Sequence, residues 1–148
     1  MSLQEQVTEQ LKVAMKAKDS VALESLRAIK SAILLAQTQA GAKDLTPDDE
    51  IKLVQKLVKQ RKDSAEIFRQ QGREDLAEPE EAQIKIIEQF LPEQLDEESI
   101  AKVVDEIITQ TNAEGMKDMG KVMGMATKAM SGKADGKTIS AIVRQKLA

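Results

Sequence analysis

Apolar residues recur along this chain at intervals of three and four, the spacing that lines one face of a helix. Leu3, Val7, Leu11 and Ala14 predict a first helix over about residues 2–17. Asp19 is placed to cap a second, with Ala22, Leu26, Ile29, Ile33 and Ala36 on its apolar face and Gly41 as its stop. Thr46-Pro47 combines a hydroxyl cap with proline at the first helical position, a strong start signal. The helix it opens runs to about Gln71 and ends at Gly72. Its stripe is Val54, Leu57, Val58, Ala65 and Phe68, with Arg61 intruding on it. Pro79 is read as the start of a fourth helix carrying Ile84, Ile87, Phe90 and Leu91, and Pro92 as its stop.

The segment Pro92–Asp96 marks the best boundary. It predicts an N-terminal helical domain of long helices over 1–92 and a small three-helix domain over 96–148. In the second, Asp96 caps a helix with Ile100, Val103, Val104, Ile107 and Ile108 on one face, and Asn112–Gly115 breaks it. A helix over about 117–131 follows, with Gly132 as its cap. Asp135 caps the last, which presents Ile139, Ile142, Val143 and Leu147. No stretch alternates with the period of a strand, so the expected fold class is all-α.

Composition narrows the chemistry. The 148 residues are 41% hydrophobic and 32% charged, enough for a core and for solubility. Cys and His are absent, which removes disulfides, thiolate and imidazole ligands, the cysteine nucleophile and the commonest general base near neutral pH. Phe68 and Phe90 are the only aromatics, so base stacking on aromatic platforms is nearly excluded. The first residues are polar and acidic, and no 18-residue apolar run occurs; the expectation is a cytoplasmic protein with no membrane partner.

Charge changes the picture most. Gly115–Ala148 holds seven Lys/Arg (Lys117, Lys121, Lys128, Lys133, Lys137, Arg144 and Lys146) against Asp118 and Asp135, a local balance of +5 in a chain of −3. A solvated face accounts for such a count, and so does a surface that meets a polyanion. On a helical wheel, Met119, Val122, Met123, Ala126 and Met130 form a core stripe, while Lys117, Lys121 and Lys128 gather opposite, with Gly124 beside them and Gly120 nearer the core edge. A glycine inside a helix costs about 1 kcal/mol relative to alanine. Two of them, four residues apart, call for either close packing against a neighbouring helix or close approach of an RNA backbone. The turn Ser131–Thr138 adds Lys133 and Lys137 at a helix N-terminus, which favours anions, and Lys137 and Arg144 share a face on the last helix. Lysine meets phosphate as a point charge and reads no sequence by doing so.

Other motifs fall away. The run SGKADGKT has three residues between Gly132 and Gly136, where a phosphate-binding loop needs four, and no strand precedes it. Serine nucleophiles have no histidine to activate them. The acidic runs Asp48-Asp49-Glu50 and Glu78, Glu80, Glu81 are read as first-turn acids favoured by the helix dipole rather than as a catalytic pair or a magnesium site. No catalytic residue, metal or cofactor is expected.

Three further motifs carry a resemblance. Arg61-Lys-Asp-Ser-Ala-Glu-Ile-Phe68, Gly72-Arg-Glu-Asp-Leu76 and Leu91-Pro-Glu-Gln-Leu95, in that order, resemble the signature of the YqeY family over essentially the whole chain. Gly120-Lys-Val-Met-Gly124 and Gly132-Lys-Ala-Asp135 resemble the tail of GatB, a subunit of the glutamine-dependent amidotransferase that acts on misacylated tRNA. The resemblance implies an N-terminal helical domain followed by a compact three-helix domain that contacts the folded body of tRNA. By motif position it makes Lys121 and Lys133 the first candidates for RNA contact, with Gly120, Gly124 and Gly132 shaping the surface. Lys117, Lys128, Lys137 and Arg144 are added by the wheel alone. One departure is Asp135-Gly136, where GatB tails often carry Asn-Pro; capping of the last helix would occupy that acid.

The expected function is therefore a non-catalytic protein that binds tRNA or similarly structured RNA, with amidotransferase or synthetase subunits as further partners. The family's label, carbon–nitrogen ligase activity with glutamine as amide donor, follows the GatB resemblance, which supplies neither an amidase site nor a kinase site. The alternative is a helical protein-interaction module that docks a partner through residues 47–71 and 79–91 and has no RNA role.

Overall fold

A computed structural model describes residues 2–39, 41 and 44–148. Among them every regular element is helical, as the spacing predicts: α1 (Leu3–Ala17), α2 (Ser20–Gln39), α3 (Pro47–Gln70), α4 (Glu74–Glu88), α5 (Glu97–Thr111), α6 (Met119–Ala129) and α7 (Gly136–Leu147), with one 3-10 turn at Met116–Asp118. No helix of the described residues is long and apolar enough to cross a membrane. The chain divides into two compact units, Met1–Leu91 and Pro92–Ala148, each with its own core.

Local chemistry starts most of these helices. Ser2 and Glu5 form a capping box at α1, and Thr46 and Asp49 form another at α3, directly before Pro47. The Asp19 carboxylate accepts from Ala22 N–H at 3.1 Å, and Asp96 accepts from Ser99 N–H at 2.8 Å. In the first unit, Val7, Leu26, Ile29, Val54 and Ile87 are essentially sealed from solvent.

Two helices depart from the pattern read along the chain. Pro79 lies inside α4, not at its start, because the helix begins at Glu74. Gly72, at φ 72°, turns the chain tightly after α3, and Leu76 and Ala77 N–H both donate to the Arg73 carbonyl. Ala77, fully buried, then packs the first turn of α4 onto the core. That packing outweighs the hydrogen bond a proline forfeits. The acids Glu78, Glu80 and Glu81 thus sit beyond the first turn, whose acids are Glu74 and Asp75. Glu81 is instead paired with Arg69 at 2.7 Å, and Arg69 also holds Glu74 at 3.1 Å. Arg61 does stand on the stripe, half-buried, and its polar atoms are satisfied there: its Nε donates to Gln83 at 2.9 Å and its Nη1 to the Leu57 carbonyl at 3.1 Å, tying α3 to an antiparallel α4. At the far end α4 stops at Glu88, and Phe90 and Leu91 follow as a turn.

The second departure is the segment expected as one helix over 117–131. It is a 3-10 turn followed by α6, which ends at Ala129. Asp118 explains the join, since its carboxylate accepts from Glu114 N–H at 3.0 Å and holds the chain in a tight turn.

Candidate nucleic-acid interface

The basic residues of the second unit stand on α6, α7 and the turn between them. Val122, Ala126 and Met130 bury the inner face of α6 against α5 and α7, with Met119 and Met123 partly buried beside them. The opposite face carries Lys121 and Lys128, seven residues apart and both exposed. Gly120 and Gly124 are exposed as well, and a Cβ built on either meets nothing within 4 Å. Among the described residues, then, no neighbouring helix packs closely against these glycines, which was one of the two readings of them. Gly120, read as the nearer of the two to the core edge, is thus as open to solvent as Gly124.

The turn into α7 is more constrained. Gly132 adopts φ 77°, a left-handed conformation that costs a side-chain-bearing residue, and is itself buried. Lys133 N–H donates to the Met130 carbonyl at 2.9 Å and closes the turn, while the Lys133 side chain is exposed. Ala134 anchors the far side in the core. Asp135 accepts from Thr138 N–H at 2.7 Å, so this acid is occupied in capping α7.

The seven candidates therefore divide. No side-chain hydrogen bond or ion pair ties Lys121, Lys128, Lys133 or Arg144 to another described residue, and all four are exposed. Gly124 is the bare position among them. Lys117 lies in the 3-10 turn rather than on the α6 wheel, and its ammonium is 3.3 Å from Glu114. Lys137 is exposed but already engaged within the structure. Lys146, counted in the basic balance, pairs with Asp105 at 3.1 Å. The cations left without a side-chain partner among the described residues of this basic stretch are thus four, fewer than the charge count.

Sequence reasoning passed over Gln94 and Leu95 as contributors. Gln94 Nε2 donates to the Gly132 carbonyl at 2.8 Å, and Leu95 N–H donates to the Lys133 carbonyl at 2.8 Å. The only sequence signal for them is their place in the Leu91–Leu95 motif.

The Yqey-like protein family matches the chain over residues 4–147. One subunit of the glutamyl-tRNA(Gln) amidotransferase of Thermococcus gammatolerans is 33% identical over 104 residues, which cover 68% of this chain and 17% of that protein. The protein named altered inheritance of mitochondria protein 41, mitochondrial, of Pyrenophora tritici-repentis is 35% identical over 127 residues, 84% of this chain and 68% of that protein. Its namesake in Lachancea thermotolerans is 42% identical over 81 residues, 55% of this chain and 43% of that protein. The chain spans less than a fifth of the amidotransferase subunit that it resembles.

Proposed function

The chain belongs to the YqeY-like family, and from that premise we propose that it binds tRNA or a tRNA-like fold through the cationic face of Pro92–Ala148. One observation carries this reading. Gly120 and Gly124 leave helix backbone open to solvent beside Lys121 and Lys128, and at Gly124, inside α6, no packing among the described residues repays the cost in helix stability. A bare helix face flanked by unpaired ammonium groups suits a phosphate backbone, which must come close and is drawn by point charges. Similarity to a subunit whose name refers to glutamyl-tRNA(Gln) supports the choice of tRNA over other polyanions.

In this reading the protein is an accessory to glutamine-dependent amide transfer on tRNA. The chain brings no imidazole or thiol. The carbon–nitrogen ligase chemistry associated with the family then belongs to the subunits it joins. The cytoplasm is the assigned compartment, and cell fractionation checks it, since several relatives carry the word mitochondrial in their names.

The test is a salt titration of tRNA binding by the full chain. The logarithm of affinity should fall linearly with the logarithm of salt, by about 0.7–0.9 per phosphate contacted. Lys121→Glu with Lys133→Glu should weaken binding at least about tenfold at low salt and flatten that slope by about two contacts. A double variant that binds like the parent would show that this face is not the site.

A second reading rests on Ile67 and Leu76, which the α3–α4 hairpin leaves exposed. They make the hairpin a docking surface for a protein partner. A pull-down in which a protein partner survives nuclease treatment and is lost with Ile67→Ser favours that reading.

A further inference from the structure

The Leu91–Leu95 motif has no cation to offer RNA, its one charge being Glu93, yet it meets the cationic turn directly. Gln94 sits in the irregular segment before α5, and its side-chain nitrogen donates to two carbonyls at once, Pro92 at 2.7 Å and Gly132 at 2.8 Å. Both partners are acceptors only, so the amide nitrogen, not the oxygen, must face them. Next to it, Leu95 N–H donates to the Lys133 carbonyl at 2.8 Å. The carbonyls of Gly132 and Lys133 are thus both held by a segment 38 residues away in sequence, while within the turn the Lys133 N–H donates to the Met130 carbonyl.

The position that this clamp fixes is an unusual one. Gly132 is left-handed and buried, Asp135 begins α7, and between them only Lys133 projects into solvent. A left-handed glycine is conformationally permissive, so without outside support the turn has other states available. A cation that must meet a phosphate gains from having its backbone fixed beforehand, because ordering it on binding would cost affinity.

We propose that Gln94 is a positioning residue of the RNA-binding face: through the Gly132 carbonyl it fixes the turn that presents Lys133. The proposal rests on the tRNA reading for what Lys133 meets, and on the two hydrogen bonds of Gln94 for how it is held. Gln94 is exposed, so a substitution there leaves the core of α5, α6 and α7 intact.

The test uses the full chain and Gln94→Met, which keeps the side chain's length and removes the donor. Two measurements separate the outcomes. In the backbone amide spectrum, the signals of Ser131–Ala134 should shift and the Lys133 amide should exchange faster, while Val104, Val122 and Val143 keep their protection. Unchanged turn signals would overturn the clamp. In tRNA binding, Gln94→Met should weaken affinity about fivefold, the size expected when roughly one net hydrogen bond's worth of order is lost. That loss should vanish in a Lys133→Ala background and persist in a Lys121→Ala background. Equal losses in both backgrounds would mean a general structural role and would reject the positioning role. If the parent chain binds no tRNA, the functional reading fails on its own, and the amide spectrum alone decides whether Gln94 holds the turn. Gln94→Glu gives a further check on the clamp: a carboxylate facing two carbonyls has no donor, so in the amide spectrum this variant should follow Gln94→Met.

Discussion

Gly124 carries a conflict between stability and function at a single position. It lies in the middle of α6, exposed, with open space where a methyl would stand. Alanine there should stabilise the chain by about 0.5–1 kcal/mol, since it removes backbone freedom from the unfolded state and clashes with nothing in the folded one. Thermal unfolding followed by far-UV circular dichroism measures this directly. The same methyl stands where an RNA backbone would approach, so tRNA affinity should fall several-fold while the salt slope, set by the lysines, stays put. A variant that gains stability and binds tRNA as well as the parent would leave the glycine without a role at the interface. The lysine face beside it was legible in the sequence, because exposure of residues seven apart follows from helix periodicity alone. What the glycines face was not legible, since the wheel does not reveal whether a neighbouring helix covers that side.

Helix boundaries show where local signals suffice and where they do not. Thr46, Asp19, Asp96 and Asp135 cap their helices as their positions foretold, because an N-cap acts within three residues of itself. Pro79 misleads for the opposite reason. Its missing N–H is a local fact, but the start of α4 is set by Ala77 against the core and by the Gly72 turn after α3. Pro79 therefore leaves the Asp75 carbonyl without its usual helical donor. Pro79→Ala should restore that bond and stabilise the chain by about 2 kcal/mol, a proline's cost in a helix interior less the freedom regained by the unfolded chain. A higher urea midpoint with an unchanged slope is the expected signature. A lower midpoint would mean that the proline serves the packing of the hairpin. Gln94 escaped prediction for a related reason: its partner lies 38 residues away, beyond the reach of any periodicity or spacing rule.

At the scale of the whole molecule, charge is segregated and titration is simple. The basic end, Gly115–Ala148, balances to +5 while the chain as a whole is −3, so positive charge is concentrated in the last 34 residues. With no histidine, no side chain has an ordinary pKa between about 5 and 8. Asp49, Asp75 and Asp96 lie below their usual range. Asp49 is lowered first by the Thr46 backbone N–H, Asp75 by the Arg73 guanidinium, and Asp96 by the Ser99 backbone N–H. An unfolded aspartate titrates near about 3.9. Above that value the folded and unfolded chains are both ionised at these sites and the stabilisation is complete. As pH falls below it, the unfolded chain takes up protons first, and stability drains away until the folded carboxylates are protonated too. The urea midpoint should thus stay flat from about pH 5.5 to 8 and drop below about pH 4. Asp96→Asn isolates one contributor, because asparagine keeps an oxygen for Ser99 N–H and cannot titrate. It should leave the neutral-pH midpoint close to the parent's and make the acid limb shallower. An acid limb identical to the parent's would remove Asp96 from the account, and a midpoint that shifted between pH 6 and 7.5 would contradict a chain without histidine.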